Sequence, residues 1–536
     1  MDSQQFREFG KAAIDYLAEY YETVRDRPVL PSVNPGYLRP LVADSIPEDG
    51  QSWQDILKDM DTVVMPGVTH WQAPGFHSYY PTASSFPSII GELMSAGLGV
   101  MGFSWMTSPA CTELEMVMMD WLAKAMDLPT DLLNSSDSEG GGCLQGSASE
   151  ATLMGLLVAK EKAVRRLQKE HPELSEQDIK AKLVCYSSDQ SNSSVEKAGM
   201  LASVPMRLLP ADENGSLRGE TVRRAIEEDI SKGLIPCYLV ANYGTTATCA
   251  FDNLDEIGPV CQAHNVWLHL DAAYAGVALI CPELRHYMPS LHHADSMVTN
   301  LHKWLLVNFD CSAMWFKSCR DIVEAFTVER IYLAHRPNTE APDLRNWQIP
   351  LGRRFRSLKI WFTLRTYGLK GLQQHIRNHV ALAGEFEKMI LADSRFELAS
   401  PTCMGLVCFR AKGENSLSTS IVEELNRRKK VYMIPGKLMD SIFIRFVVCS
   451  PSTTVDDVKN CVDEIIAATD IVMEQQKENT NSGNKIMEQH PLKKISEEKV
   501  ETVVNGLNGI HINGFSKEEK PSFCTPRLNI ANVARS

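Results

Sequence analysis

Residues 294–304 read Ala294-Asp295-Ser296-Met297-Val298-Thr299-Asn300-Leu301-His302-Lys303-Trp304, and LLVNFDCSAMWF follows. The pattern predicts two strands, Ser296–Thr299 and Ala313–Phe316, joined through a short polar turn that holds one lysine. An ammonium set among apolar runs is costly unless it is paired or neutralised. Desolvation favours the neutral amine, the form in which Lys303 attacks a carbonyl carbon and holds it as a Schiff base. A surface lysine in a turn between buried strands is the alternative, because His302-Lys303-Trp304 is a short motif.

Working outward, Val266-Trp267-Leu268-His269-Leu270-Asp271-Ala272-Ala273-Tyr274 predicts a strand over Val266–Leu270 that ends in a carboxylate. A buried acid needs a cationic partner. A core arginine would serve, and so would the protonated ring nitrogen of a pyridoxal phosphate. Asn242-Tyr243-Gly244-Thr245-Thr246 closes another expected strand, Cys237–Ala241, and sets Thr246 where it would touch such a ring. Further back, Gly140-Gly141-Gly142-Cys143-Leu144-Gln145-Gly146-Ser147-Ala148-Ser149-Glu150 precedes the helix-forming ATLMGLLVAKEKAV. Small residues let backbone N–H groups close on an anion, and a helix N-terminus adds positive charge. The spacing is no dinucleotide fingerprint and lacks a P-loop lysine, so a phosphate monoester suits it. A flexible turn with Ser147 or Ser149 capping the helix is the alternative. Cradle, acid and lysine together read as a pyridoxal-phosphate site with Lys303 bearing the cofactor.

From about Phe86 to Arg356 such strands, Leu183–Tyr186 among them, alternate with helical stretches. The expected fold class is α/β, a mostly parallel sheet covered on both faces that binds ligands at the carboxyl ends of its strands. Ahead of it, Phe6, Phe9, Ala13, Leu17, Tyr20 and Val24 fall at helical spacing, and the proline-rich PVLPSVNPGYLRPLVADSIPEDG is extended. Residues 1–85 therefore form an arm, packed either on a second copy of the chain or on its own domain. Residues 86–357 form the large domain. A smaller α+β domain, 358–475, is expected from strands Met404–Phe409 and Ser441–Val448 and helices Ser420–Lys429 and Val455–Met473. The tail, 476–536, is polar and short of aromatics, and disorder is expected there.

At 536 residues the chain exceeds one simple core, and its net charge of −13 argues against general nucleic-acid binding. The 14 cysteines show no zinc-type spacing, so no metal is expected. A polar N-terminus and the lack of a membrane-length apolar run predict a cytoplasmic protein with free thiols.

The segments PGFHSYYPTASSFPS, GGGCLQGSASEAT, YSSDQSNSSVEKA, NYGTTATCAFD, HLDAAYAG and NLHKW together resemble the aromatic L-amino-acid decarboxylase family, over roughly residues 1–475. These are pyridoxal 5'-phosphate enzymes of type I fold. The resemblance implies Lys303 as the cofactor-bearing lysine and Asp271 as the partner of the ring nitrogen. It implies phosphate contacts from Ala148, Ser149 and the Ser296–Asn300 region and a ring contact from Thr246, with Ala273 and His302 beside the cofactor. It also implies a homodimer with the active site at the subunit interface, acting on an aromatic amino acid. Trp71, Tyr79, Tyr80, Pro81, Thr82 and Phe103 become the substrate pocket, where aromatic walls suit a flat ring; core packing is the alternative. Tyr80 departs from the Phe of many members. Tyr332, within 329–333, falls on a loop that closes over the site, and is implied to return a proton to the substrate α-carbon.

The larger departure is Asn192, where the decarboxylases carry His. Asn neither stacks comparably on a ring nor titrates near neutral pH. Three readings follow: an inactive relative, an amine-forming decarboxylase, or an enzyme that passes the decarboxylated substrate to dioxygen and releases an aldehyde, ammonia and hydrogen peroxide. Retention of Lys303, Asp271, Thr246 and Tyr332 favours catalysis. Asn192 favours the aldehyde, with L-dopa as the expected substrate.

Overall fold

The computed structural model describes residues 1–328 and 342–489. Tyr332, with the whole stretch 329–341, lies outside the described residues, as does everything beyond 489.

Seven strands build the main sheet: β1 (Gly141–Gln145), β2 (Leu183–Ser188), β3 (Met206–Leu209), β4 (Ile235–Asn242), β5 (Trp267–Asp271), β6 (Ser296–Asn300) and β7 (Ser312–Phe316). Their order is β1-β7-β6-β5-β4-β2-β3. Only β7 runs against its neighbours, pairing antiparallel with both β1 and β6, while β6, β5, β4, β2 and β3 are parallel. The carboxyl ends of β1, β2, β4, β5 and β6 therefore share one edge, which carries Gln145, Ser188, Asn242, Asp271 and Asn300. Side chains alternate between two apolar cores, as period-two geometry requires. Leu239, Ala241, Leu268, Leu270 and Met297 enter one core; Val240, Trp267 and Val298 enter the other, with the helix Ala148–Glu170.

The five expected strands of this sheet are all present, with ends shifted by one or two residues. Two strands were not expected. β3 is a short edge strand whose residues are mostly half-exposed, so it shows no apolar run. β1 is the glycine stretch itself, which corrects the expectation of a loop closing on an anion. A Cβ on Gly141 would lie 2.5 Å from Asn134 Oδ1, and one on Gly142 would lie 2.6 Å from both the Trp315 ring and Met119 Cε. These glycines admit close neighbours to a buried strand. Only Gly146 and Ser147 remain as the turn into the helix, and it is Ser147 that caps it, its Oγ accepting from Glu150 N at 3.2 Å.

A second sheet, wholly antiparallel in the order β10-β11-β9-β8, comprises β8 (Phe396–Leu398), β9 (Leu406–Ala411), β10 (Ile434–Leu438) and β11 (Ser441–Val447). It has its own core, including Phe386, Phe409, Phe446 and Ile465. Both sheets belong to one compact unit, Met1–Met473. The last helix described, Val455–Gln489, continues through 476–489, where disorder was expected. The tail's low apolar content argues against a packed core; it does not forbid a helix, which Glu474, Gln475, Gln476, Lys477 and Glu478 favour locally.

The expected N-terminal helix spans Ser3–Thr23, opened by a capping box between Asp2 and Gln5, and none of its residues is buried. Phe6, Ile14 and Leu17 on it are exposed. No helix among the described residues is long and apolar enough to cross a membrane.

Candidate active site

Lys303 sits in one helical turn, Leu301–Trp304, directly after β6. Leu301 and Trp304 are buried and anchor the turn. The Trp304 ring stacks on Tyr274 at 4.7 Å, and its indole N–H donates to His379 Nδ1 at 3.1 Å. Lys303 keeps some accessible surface, in a cavity of about 170 Å³ at the carboxyl edge of the sheet. Asp271, Asn242 and Asn300 enter the same cavity from the ends of β5, β4 and β6.

Burial pushes the Lys303 ammonium below the usual lysine range; Asp271 works against this shift and Arg445 adds to it. Burial likewise raises the Asp271 carboxyl, while Lys303 and the Ala273 N–H hold it back. Among the described residues, the Asp271 carboxylate accepts one hydrogen bond, from Ala273 N at 3.0 Å, and has no ion-pair partner. A buried carboxylate so poorly matched is a place for a cationic ligand atom.

Above this floor, Thr246 Oγ1 accepts from Asn192 Nδ2 at 3.1 Å. Asn192 Oδ1 accepts from Ser194 N at 3.0 Å, so the same side chain caps the helix Ser193–Ala202. Tyr80 donates its hydroxyl to Thr245 O at 3.0 Å and stacks on Tyr274 at 4.1 Å. Lys303 Nζ and the Arg445 guanidinium lie 5.3 and 5.1 Å from the Tyr80 ring centre. At the other end of the cavity are Ala148 and Ser149, in the first turn of their helix, where backbone N–H groups lack intrahelical partners. Asn300 Oδ1 accepts from Ser312 Oγ at 2.6 Å, which leaves its Nδ2 hydrogens to the cavity.

The structure thus brings together Tyr80, Ala148, Ser149, Asn192, Thr246, Asp271, Ala273, Asn300 and Lys303. It does not bring in the other expected residues. Ser296 starts β6 while Asn300 ends it, and Ser296 Oγ is held at 2.8 Å by both Trp267 Nε1 and His269 Nδ1. His302 is turned away, its Nδ1 accepting from Cys311 N at 2.9 Å, and burial pulls its pKa to about 4. Trp71 and Tyr79 stack together at 5.4 Å in a separate aromatic cluster that reaches Tyr432, where the two tyrosine hydroxyls are 3.1 Å apart. Pro81 is buried; Thr82 O accepts from Gln72 Nε2 at 2.6 Å, and the Phe103 carbonyl accepts from Arg345 N. None of these seven lines the cavity of the single chain.

Asn242, Tyr274 and Arg445 went unassigned in the sequence. Arg445 is buried in β11, has no carboxylate partner among the described residues, and donates to Ala247 O at 2.9 Å and Tyr79 O at 3.1 Å. Its signal was present as one charge inside the apolar SIFIRFVV. Among the described residues no cluster of three metal-ligating side chains occurs.

Residues 35–412 match the pyridoxal-dependent decarboxylase conserved domain. The chain is 52% identical over 487 residues to the 3,4-dihydroxyphenylacetaldehyde synthase of Drosophila melanogaster, covering 90% of this chain and 96% of that one. It is also 52% identical over 465 residues to the aromatic-L-amino-acid decarboxylase of Manduca sexta, covering 87% and 92%. Among solved structures it is similar to the 4-hydroxyphenylacetaldehyde synthase of Rhodiola rosea, with a TM-score of 0.82 and 36% identity, over 88% of this chain and 99% of that one.

Proposed function

The chain belongs to the pyridoxal-dependent decarboxylase family, and from that premise we propose that it decarboxylates an aromatic L-amino acid, L-dopa foremost, and releases the aldehyde. In the balanced reaction L-dopa, dioxygen and water give 3,4-dihydroxyphenylacetaldehyde, carbon dioxide, ammonia and hydrogen peroxide. The fold is the type I fold of these enzymes, and the cofactor is pyridoxal 5'-phosphate.

The residues present fit that cofactor. Asp271, buried without an ion-pair partner among the described residues, would hold the ring nitrogen, and Lys303, held toward its neutral form by burial, would take the carbonyl carbon. The free Nδ2 of Asn300 and the first-turn N–H groups of Ala148 and Ser149 are donors suited to the phosphate. When bound, the cofactor supplies a ring that accepts the electron pair left by departing carbon dioxide. Tyr80, braced on Tyr274, offers a flat wall for an aromatic substrate.

Asn192 carries the choice of product. Relatives of both classes are 52% identical, so overall likeness does not separate them. Here both ends of the Asn192 amide are committed, one to Thr246 and one to the helix cap, and neither titrates near neutrality. No proton is held at that position for the electron-rich α-carbon, and dioxygen takes its electrons. Tyr332 is assigned the proton delivery that yields any residual amine. The exposed apolar side chains of the N-terminal helix, with Phe86, Met94, Leu98 and Met101, support a homodimer.

Dioxygen uptake, peroxide and amine measured together with L-dopa test the proposal. Asn192→His is expected to shift product from aldehyde toward amine about tenfold, equivalent to roughly 1.4 kcal/mol between the competing barriers. A wild type that forms only amine without dioxygen uptake refutes the proposal. Unchanged uptake per carbon dioxide in an active Asn192→His enzyme removes Asn192 from the switch.

A further inference from the structure

Beside the cavity, and including Asn242 of its lining, runs a row of polar groups, buried at Asp252, Asn242 and Ser187 and half-buried at Ser191. Asp252 is buried and has no cationic partner among the described residues. Its Oδ1 accepts from Leu217 N at 2.7 Å, and its Oδ2 accepts from Asn242 N at 2.6 Å and Asn242 Nδ2 at 2.8 Å. An ionised carboxylate only accepts, so it forces the Asn242 amide to present its NH2 side. The second Nδ2 hydrogen goes to Ser191 Oγ at 2.8 Å. Ser187 spends its own proton on Val240 O at 2.9 Å, so across the 2.6 Å between the two serine oxygens Ser191 is the donor. Ser191 is thereby held from both sides, and the next residue is Asn192.

We infer that Asp252 is a positioning residue that fixes Asn192 through Asn242 and Ser191, and so helps set the partition between aldehyde and amine. The inference rests on the product assignment above. The row joins the end of β4 to the turn after β2, and the Asn192–Thr246 hydrogen bond is a second link between that turn and the segment after β4. With the row intact, the Asn192 amide stays on Thr246 and over the helix cap. With it broken, the turn loosens, and amine rises at the expense of aldehyde.

The row also has a pH at which it fails. Burial pushes Asp252 up to about 6, and Asp212, the charged group facing it, adds to the rise. Arg218, nearby, is engaged by Glu256 and Asp212. Once protonated, the acid no longer accepts at every lone pair, and the Asn242 amide loses its imposed direction.

Three variants of the full-length, cofactor-loaded enzyme test this, with aldehyde and amine quantified at a series of pH values on either side of 6. In wild type the aldehyde fraction is expected to fall as pH drops through about 6. Ser191→Ala, which leaves the carboxylate and Asn242 in place, is expected to lower the aldehyde-to-amine ratio roughly three- to tenfold at neutral pH, as loss of one or two neutral hydrogen bonds would. Ser191→Thr retains the hydroxyl and is expected to restore the ratio. Asp252→Asn is expected to abolish the pH dependence of the ratio. Hydrogen exchange at the Ser194 and Val195 amides is expected to quicken in Ser191→Ala, with and without cofactor. A wild-type ratio and unchanged exchange in Ser191→Ala overturn the inference, as does a pH profile that survives in folded Asp252→Asn. If Asp252→Asn does not fold, the Ala and Thr variants at 191 decide alone. A wild type that makes only amine refutes the product assignment itself, and the inference with it, a result distinct from an aldehyde-forming wild type matched by Ser191→Ala.

Discussion

The floor and the rim of the cavity are built on opposite terms. On the floor, Asp271 and Lys303 carry charge-bearing groups with almost nothing to satisfy them: one backbone N–H for the acid, and no hydrogen bond among the described residues for the amine. On the rim and in the row beside it the groups are neutral and satisfied: Asn192 bonds Thr246, and Ser191 bonds both Ser187 and Asn242. A buried charge left without a partner costs several kcal/mol, and a fold sustains it where a ligand supplies the missing half. Saturated neutral groups cost little and hold geometry. On the function proposed above, the floor would govern whether reaction occurs and the rim which product leaves.

Lys303→Ala is expected to have the largest effect. It should reduce turnover to background and remove both the visible absorbance of lysine-bound cofactor and the borohydride-reducible adduct. An adduct that persists in the variant would place the cofactor on another lysine and dissolve the floor as defined. Asp271→Asn keeps the shape and removes the charge. It is expected to lower kcat by roughly 10²- to 10³-fold, the scale of one preorganised electrostatic contact in a dry site, and to weaken cofactor binding in titration. Near-normal kcat in that variant would show that the ring nitrogen needs no buried acid here. Tyr80→Phe is expected to act least. It keeps the stack on Tyr274 and loses one bond to the Thr245 carbonyl, worth about 0.5–1.5 kcal/mol, which amounts to a tenfold change in product ratio at most. If its loss of turnover matches that of Asp271→Asn, the division between floor and rim fails.

The two regions also differ in how openly the sequence displays them. Lys303 and Asp271 stand at the ends of apolar runs, and a charged residue bordering a buried strand is conspicuous in any linear reading. The rim is composed of serines, asparagines and threonines, residue types that suit almost any loop. Asn192 drew notice through a resemblance to other chains, and its double hydrogen bonding appeared only with Thr246 and Ser194 around it. The glycine stretch misled for a related reason. Its meaning lies in Asn134, Met119 and Trp315, which crowd β1 from elsewhere in the chain. Of the aromatic set, Tyr80 faces the cavity while its neighbour Tyr79 joins Trp71 and Tyr432, a parting that composition does not foretell.

By itself the sequence determined the α/β class, the three strands whose observed ends are Asn242, Asp271 and Asn300, the turn that holds Lys303, and the N-terminal helix. Each of these follows from the period and polarity of consecutive residues, which are local properties of the chain. The tertiary structure alone decided that Ser296 bonds Trp267 and His269, that His302 bonds Cys311, that Arg445 reaches over Tyr80, and that Asp252 is tied through Asn242 to Ser191, the neighbour of Asn192. Those outcomes depend on hydrogen bonds and contacts a few ångströms long between residues whose separation along the chain runs from nine positions, for His302 and Cys311, to hundreds, for Tyr80 and Arg445. Only the packing that sets β2 beside β4 and Arg445 of β11 against Tyr80 brings such groups within reach of each other.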